Sequence, residues 1–103
     1  MSIPIYYVYI LHSEVHDRYY VGQTSGILTR FSYHNSAENI GYTRDYQPWT
    51  LVGLYIFASR AEALWVERYI KKKKSRLFLS RLISSSDGQE YLDKQLSRNK
   101  GKP

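Results

Sequence analysis

Apolar and polar positions change period along this chain. From Tyr6 to Leu11 the run is aromatic and β-branched, a composition that favours a strand. Ser13 to Asp17 is polar and turn-like, and Tyr19 to Thr24 reads as a second strand. So short a connection predicts an antiparallel hairpin. With the turn centred between Glu14 and Val15, Tyr9 falls opposite Tyr20 and Tyr7 opposite Gly22. Alternation then puts Tyr7, Tyr9, Tyr20 and Gly22 on one face, which a one-residue slip would destroy.

The period then lengthens. Thr24 or Ser25 can cap a helix running to about Asn35, with Ile27, Leu28 and Phe31 as its buried stripe. Arg30 and His34, four residues apart, stand on a neighbouring face. Ser36 to Thr50 is loop-like, punctuated by Gly41 and Pro48, and Leu51 to Phe57 is a third, apolar strand. Ser59-Arg60-Ala61-Glu62 has the form of a capping box and opens a long helix through Lys74. Residues 76–83 suit a further short helix. Residues 84–103 are polar and end in Gly, Lys and Pro, so a flexible tail is expected beyond a domain of residues 1–83, although Tyr91, Leu92 and Leu96 could form an amphipathic turn. This order predicts an α/β (α+β) fold, a small three-stranded antiparallel sheet flanked by helices.

Composition narrows the function. At 103 residues the chain is long enough to bury one core without staples, and the absence of cysteine excludes disulfides and thiolate zinc sites. No apolar run approaches a membrane span and Met1-Ser2-Ile3-Pro4 does not resemble a signal peptide, so a cytoplasmic protein without a membrane partner is expected. The net charge is +6, and eight of the fifteen Lys and Arg lie between Arg60 and Arg81, against only Glu62 and Glu67. Such a surface attracts polyanions, nucleic acid first among them; it can equally be a solvated helix face.

Three groups could carry chemistry. Glu67 lies within about 60° of Ala63, Leu64 and Ile70 on the long helix. A carboxylate there either pairs with Lys71 or Arg68 or binds a hard divalent cation. Arg30 can grip a phosphate bidentately and His34 can donate to it or move a proton; alternatively Arg30 faces solvent and His34 satisfies carbonyls at the helix end. Tyrosines beside a guanidinium can orient water, although most of the eleven are expected to be packing residues. Lys71, Lys72, Lys73, Lys74 and Arg76 could track phosphates, or complement the helix dipole. His12 and His16 lack the companions of a zinc site. No Gly-rich phosphate loop or Ser-His-Asp set is present in the spacing.

Taken together, these elements resemble the GIY-YIG nuclease superfamily, and most closely its short, stand-alone bacterial members, which are similar to the N-terminal domain of the bacterial excision-repair endonuclease. The first motif corresponds to Tyr7-Val8-Tyr9, with Tyr7 in place of its glycine, and the second to Tyr20-Val21-Gly22. The tract after it, Arg30, His34-Asn35, Tyr42-Thr43, Pro48-Trp49, Leu51 and Glu67 follow in family order over about residues 5–83. The resemblance implies an endonuclease that hydrolyses DNA with a single Mg²⁺ or Mn²⁺ held by Glu67. Tyr9 or Tyr20 would activate water, Arg30 would stabilise the charged phosphoryl state and His34 would assist. Gly22, Gln23 (a lysine in the repair enzyme), Lys71–Lys74 and Arg76 would contact substrate, in repair or recombination, and a protein partner could supply targeting. A non-catalytic nucleic-acid-binding module of the same fold is the alternative. For the nuclease, Tyr9, Tyr20, Arg30 and Glu67 must converge within about 10 Å on one concave face.

Overall fold

The computed structural model describes residues 4–100. Strands β1 (Tyr6–Ser13), β2 (Arg18–Thr24) and β3 (Thr50–Phe57) form one antiparallel sheet in the order β2-β1-β3. β1 takes the centre because both of its faces are apolar. Val8 and Ile10 are buried on one side, Tyr9 and Leu11 on the other. On the first side the core continues through Val21, Tyr55 and Phe57 to Ala63, Val66 and Ile70 of α2 (Arg60–Lys73), Leu82 of α3 (Arg76–Ser84), and Leu92 and Leu96 of α4 (Gly88–Lys100). On the second, Tyr9, Leu11 and Trp49 pack with Tyr20, Leu51 and with Ile27 and Phe31 of α1 (Ile27–His34). The α+β sheet-and-helix architecture expected from the sequence is the one observed.

The hairpin register differs from expectation by two residues. Tyr9 pairs with Gly22, Leu11 with Tyr20 and Tyr7 with Thr24. The turn is centred one position later, between Val15 and His16, and Asp17 in a left-handed conformation (φ 50°) closes it before Arg18. A shift of two preserves side-chain parity, so Tyr7, Tyr9, Tyr20 and Gly22 keep their common face. β3 carries an irregularity where Ile10 pairs with Gly53 but Leu11 with Leu51.

Helix ends also depart from the expected pattern. α1 begins after Gly26 with no side-chain cap, and Thr24 Oγ1 instead accepts a bond from Gly26 N. At α2, Ser59 Oγ accepts from Glu62 N at 3.1 Å, as the capping box requires, but Glu62 Oε1 accepts from Ala58 N at 3.3 Å. A single 3-10 turn, Tyr42–Tyr46, interrupts the connection that was expected to be all loop.

The expected flexible tail is corrected over residues 88–100, which form α4. Leu92 and Leu96, one turn apart, enter the main core, and Tyr91 Oη lies 2.7 Å from Tyr69 Oη. Gln89 donates to Ile56 O (2.9 Å) and accepts from Ile56 N (2.8 Å), covering an unpaired edge of β3. Four spaced side chains thus anchor a segment whose composition is polar. Replacing Leu92 with Ala is expected to cost about 2–5 kcal/mol in denaturant unfolding. A loss below about 0.5 kcal/mol would show that α4 is not part of the cooperative core.

Candidate active site

The site starts from a missing side chain. A Cβ on Gly22 would lie 2.5 Å from Tyr9 Oη and 2.6 Å from Cζ, so only glycine lets the Tyr9 ring lie across the edge strand β2. This carries the Tyr9 hydroxyl from the central strand toward the sheet edge. Tyr20, two residues before Gly22 on the same face, sits 6.3 Å from Tyr9 between ring centroids. Its own ring is 5.0 Å from that of His34.

α1 supplies the nitrogen groups. His34, at its last turn, is 2% exposed. Its Nε2 is 2.9 Å from Tyr9 Oη and its Nδ1 2.7 Å from Thr43 Oγ1. Two tautomers satisfy these contacts: either Nε2–H donates to Tyr9 while Thr43 donates to Nδ1, or the reverse. Burial, and secondarily the Arg30 charge, lower the His34 pKa to about 4, so the ring is neutral at pH 7. Burial pushes the Tyr9 phenol up to about 12, against the opposing influence of the nearby Arg30 guanidinium. The Tyr9 hydroxyl nearby is the main influence raising the Arg30 pKa, and the guanidinium also lies 5.2 Å over the Tyr33 ring.

The connection after α1 locks this arrangement. Asn39 Nδ2 donates to Thr43 Oγ1 at 2.7 Å and to His34 O at 3.2 Å. Gln47 Nε2 donates to His34 O and Ser36 O, both at 2.8 Å. Asn35 donates to Trp49 O and accepts from Trp49 N. Sequence reasoning assigned no role to Asn39, Gln47 or Asn35. No local signal singles them out, because the buried Asn39 and Thr43 lie in a loop with no periodicity to reveal them. Tyr20, Arg30, Tyr33, His34, Tyr42 and Thr43 border a cavity of about 220 Å³.

Glu67 approaches from α2. Its side chain is 14% exposed and accepts from Lys71 Nζ at 2.6 Å, the intrahelical pair the sequence allowed. It is not turned away from the hairpin. The same Lys71 Nζ lies 5.8 Å from the Tyr20 ring centre, and the Glu67 charge contributes to the raised Tyr9 pKa. Tyr9, Tyr20, Arg30 and His34 are brought together, and Glu67 approaches their edge beside Lys71. Gln23 accepts from Arg60 Nη1 at 3.4 Å. The four lysines do not form a single row, however. Lys71 faces the site, Lys72 lies beside Trp65 and Arg68, Lys73 covers Tyr69 and Phe78, and Lys74 joins Arg76 near Arg18. His12 pairs with Asp17 at 3.1 Å rather than with any metal-ligand companion.

Comparison with known proteins gives these positions a family. The model of the GIY-YIG catalytic domain matches residues 5–80. The chain belongs to the GIY-YIG family. Within this nuclease family it is similar to proteins named UPF0213. It is 39% identical over 69 residues to one from Streptococcus pneumoniae serotype 4, covering 66% of this chain and 68% of that protein. A UPF0213 protein of Cupriavidus necator is 34% identical over 70 residues, covering 68% and 75%. The solution NMR structure of the UPF0213 protein BH0048 from Bacillus halodurans aligns with a TM-score of 0.50 at 33% identity, over 90% of this chain and 97% of that one. The matched GIY-YIG span contains every residue of the pocket and Glu67; α4 lies beyond it but shares its core.

The donor set in this GIY-YIG site also bears on a metal. Among the described residues no group of three or more His, Asp or Glu could enclose an ion. Glu67, bonded to the Lys71 that lies by the Tyr20 ring, is a single hard carboxylate at the edge of this group, and its chemistry would fit a divalent ion that takes one protein oxygen and keeps water and phosphate as its other ligands.

The lowered His34 pKa has a consequence for stability. In the unfolded chain the ring titrates at its ordinary 6.5. Between pH 6.5 and about 4 the unfolded state binds a proton that the folded state refuses, so stability falls as pH drops through that window. This one group can account for up to about 3 kcal/mol. The NMR ring signals of His34 should stay those of neutral imidazole down to about pH 5; titration near 6.5 would contradict the assignment.

Proposed function

We propose that the chain is a divalent-metal-dependent endonuclease that hydrolyses DNA phosphodiester bonds. The observation carrying this reading is the convergence of Tyr20, Arg30 and His34 on one cavity, with the Tyr9 phenol behind them and the Glu67 charge reaching it. In a GIY-YIG domain, such a grouping has the parts that phosphate-ester hydrolysis needs.

Each residue has a role that follows from its exposure and partners. Arg30 is mounted on an exposed helix face at the cavity rim, where its guanidinium can bind the scissile phosphate and stabilise charge gathering on its oxygens. Tyr20 borders the cavity and is the phenol placed to orient the attacking water and relay its proton. Tyr9 is sealed from solvent and costly to ionise, so it acts as a positioning residue that couples Arg30 to His34. Neutral His34 fixes the Tyr9 hydroxyl and can pass a proton between its two nitrogens' partners. Glu67 would hold Mg²⁺ or Mn²⁺, which supplies charge neutralisation at the phosphate and leaving oxygen when bound. Lys71 adds a cation at the same edge.

Labelled DNA incubated with Mg²⁺ should be cut, and EDTA should abolish cutting. Tyr20→Phe is expected to lower the single-turnover rate about 100-fold or more, and Arg30→Ala by about 100- to 1,000-fold. Glu67→Gln should abolish metal-stimulated cleavage while leaving the fold intact by circular dichroism. Cleavage that persists in EDTA or in Glu67→Gln would refute the metal role. Salt-sensitive DNA binding without cleavage would instead establish a binding module.

A further inference from the structure

A second cleft adjoins the catalytic cavity. Arg18, Tyr19, Tyr42, Lys74, Arg76 and Leu79 line a space of about 270 Å³, and Tyr42 borders both this cleft and the 220 Å³ cavity that holds Arg30 and His34. We propose that the cleft is a subsite for an unpaired DNA strand flanking the cut, with Tyr42 as the stacking platform at the junction. The inference rests on the nuclease reading for the position of the cut, and goes beyond it in naming a substrate class.

Charge, mounting and backbone all bear on this. Three cations face the cleft against one carboxylate: Asp17 binds Arg76 at 2.7 Å, and among the described residues Lys74 makes no ion pair. The guanidiniums are oriented by aromatic rings, Arg76 at 5.1 Å over Tyr19 and Arg18 at 4.6 Å over Tyr46. Lys74 occupies a left-handed position (φ 48°) that favours glycine, so a cation is kept there at a backbone cost. Tyr42 is 57% exposed, its ring packs 5.1 Å from that of Tyr46, and its neighbour Thr43 is bonded to His34, which ties this stretch of backbone to the catalytic groups.

The occupant follows from shape. Each space is smaller than the roughly 300–1,000 Å³ of an ordinary small-molecule pocket, which suits one nucleotide unit at a time. Within a continuous duplex both faces of each base are already stacked, so an exposed tyrosine gains a base only from an unpaired strand. The three cations then follow the phosphates of that strand.

The test is fluorescence anisotropy in EDTA, comparing a blunt DNA duplex with duplexes bearing a 5′ or 3′ extension of about six nucleotides. One tailed duplex should bind about tenfold tighter than the blunt one. Tyr42→Ala should lower tailed-duplex affinity by about tenfold more than blunt-duplex affinity, removing the preference, and Tyr42→Phe should retain it. Lys74→Gln should reduce the salt slope for the tailed duplex by about 0.7. Equal binding of tailed and blunt DNA, or a Tyr42→Ala loss shared by both, would overturn the subsite. Cleavage with Mg²⁺ is scored separately. Tail preference without cleavage would sustain the subsite and refute the nuclease; cleavage without tail preference would do the opposite.

Discussion

The hydrogen bond between Tyr9 Oη and His34 Nε2, 2.9 Å long and buried, is the constraint on which the rest of the site depends. It joins the central strand to the end of α1, two elements otherwise linked by modest apolar packing. In a dry setting such a bond is costly to leave unmade, because both partners would be buried without a partner. Its geometry requires Gly22 beneath the Tyr9 ring, and its far end requires Thr43 on the other His34 nitrogen. Asn39 and Gln47 complete the chain of donors, so that among the described residues no buried side-chain nitrogen or oxygen is unsatisfied. A short, uncapped helix is thereby fixed firmly enough to present Arg30.

This network also divides the two sheet faces by task. The face of Val8 and Ile10, covered by α2 and α4, is almost wholly apolar and provides cohesion. The face of Tyr9 and Leu11 carries the aromatic and polar groups. α2 serves both: Ala63, Val66 and Ile70 enter the apolar core, while Glu67 and Lys71 reach the site at the β2 edge. Core packing along one helix thus sets the carboxylate's position, which is more rigid than a loop could provide.

Much of this was legible in the residues, for physical reasons. Side-chain alternation put Tyr9, Tyr20 and Gly22 on one face even though the pairing was displaced by two, because parity survives an even shift. Helical periodicity placed Arg30 with His34 and Glu67 with Lys71. What was hidden depends on contacts between distant segments. Tyr91, Leu92 and Leu96 hinted at an amphipathic turn, but the segment around them is otherwise polar and its helix gains its stability from packing that no local pattern shows. The burial of His34 and the roles of Asn39 and Thr43 arise from a loop returning over α1. The lysine run reads as one patch along the chain, but adjacent residues on a helix point about 100° apart, and only the neighbouring elements show where each one ends.

The central claim is that the buried Tyr9–His34 link organises a hydrolytic site, and a double-mutant cycle on single-turnover DNA cleavage addresses it most directly. Tyr9→Phe and His34→Asn should each slow cleavage, and the double variant should be no slower than the worse single one, since each substitution already breaks the same link. Losses that multiply in the double variant, or cleavage indifferent to both substitutions, would contradict the account.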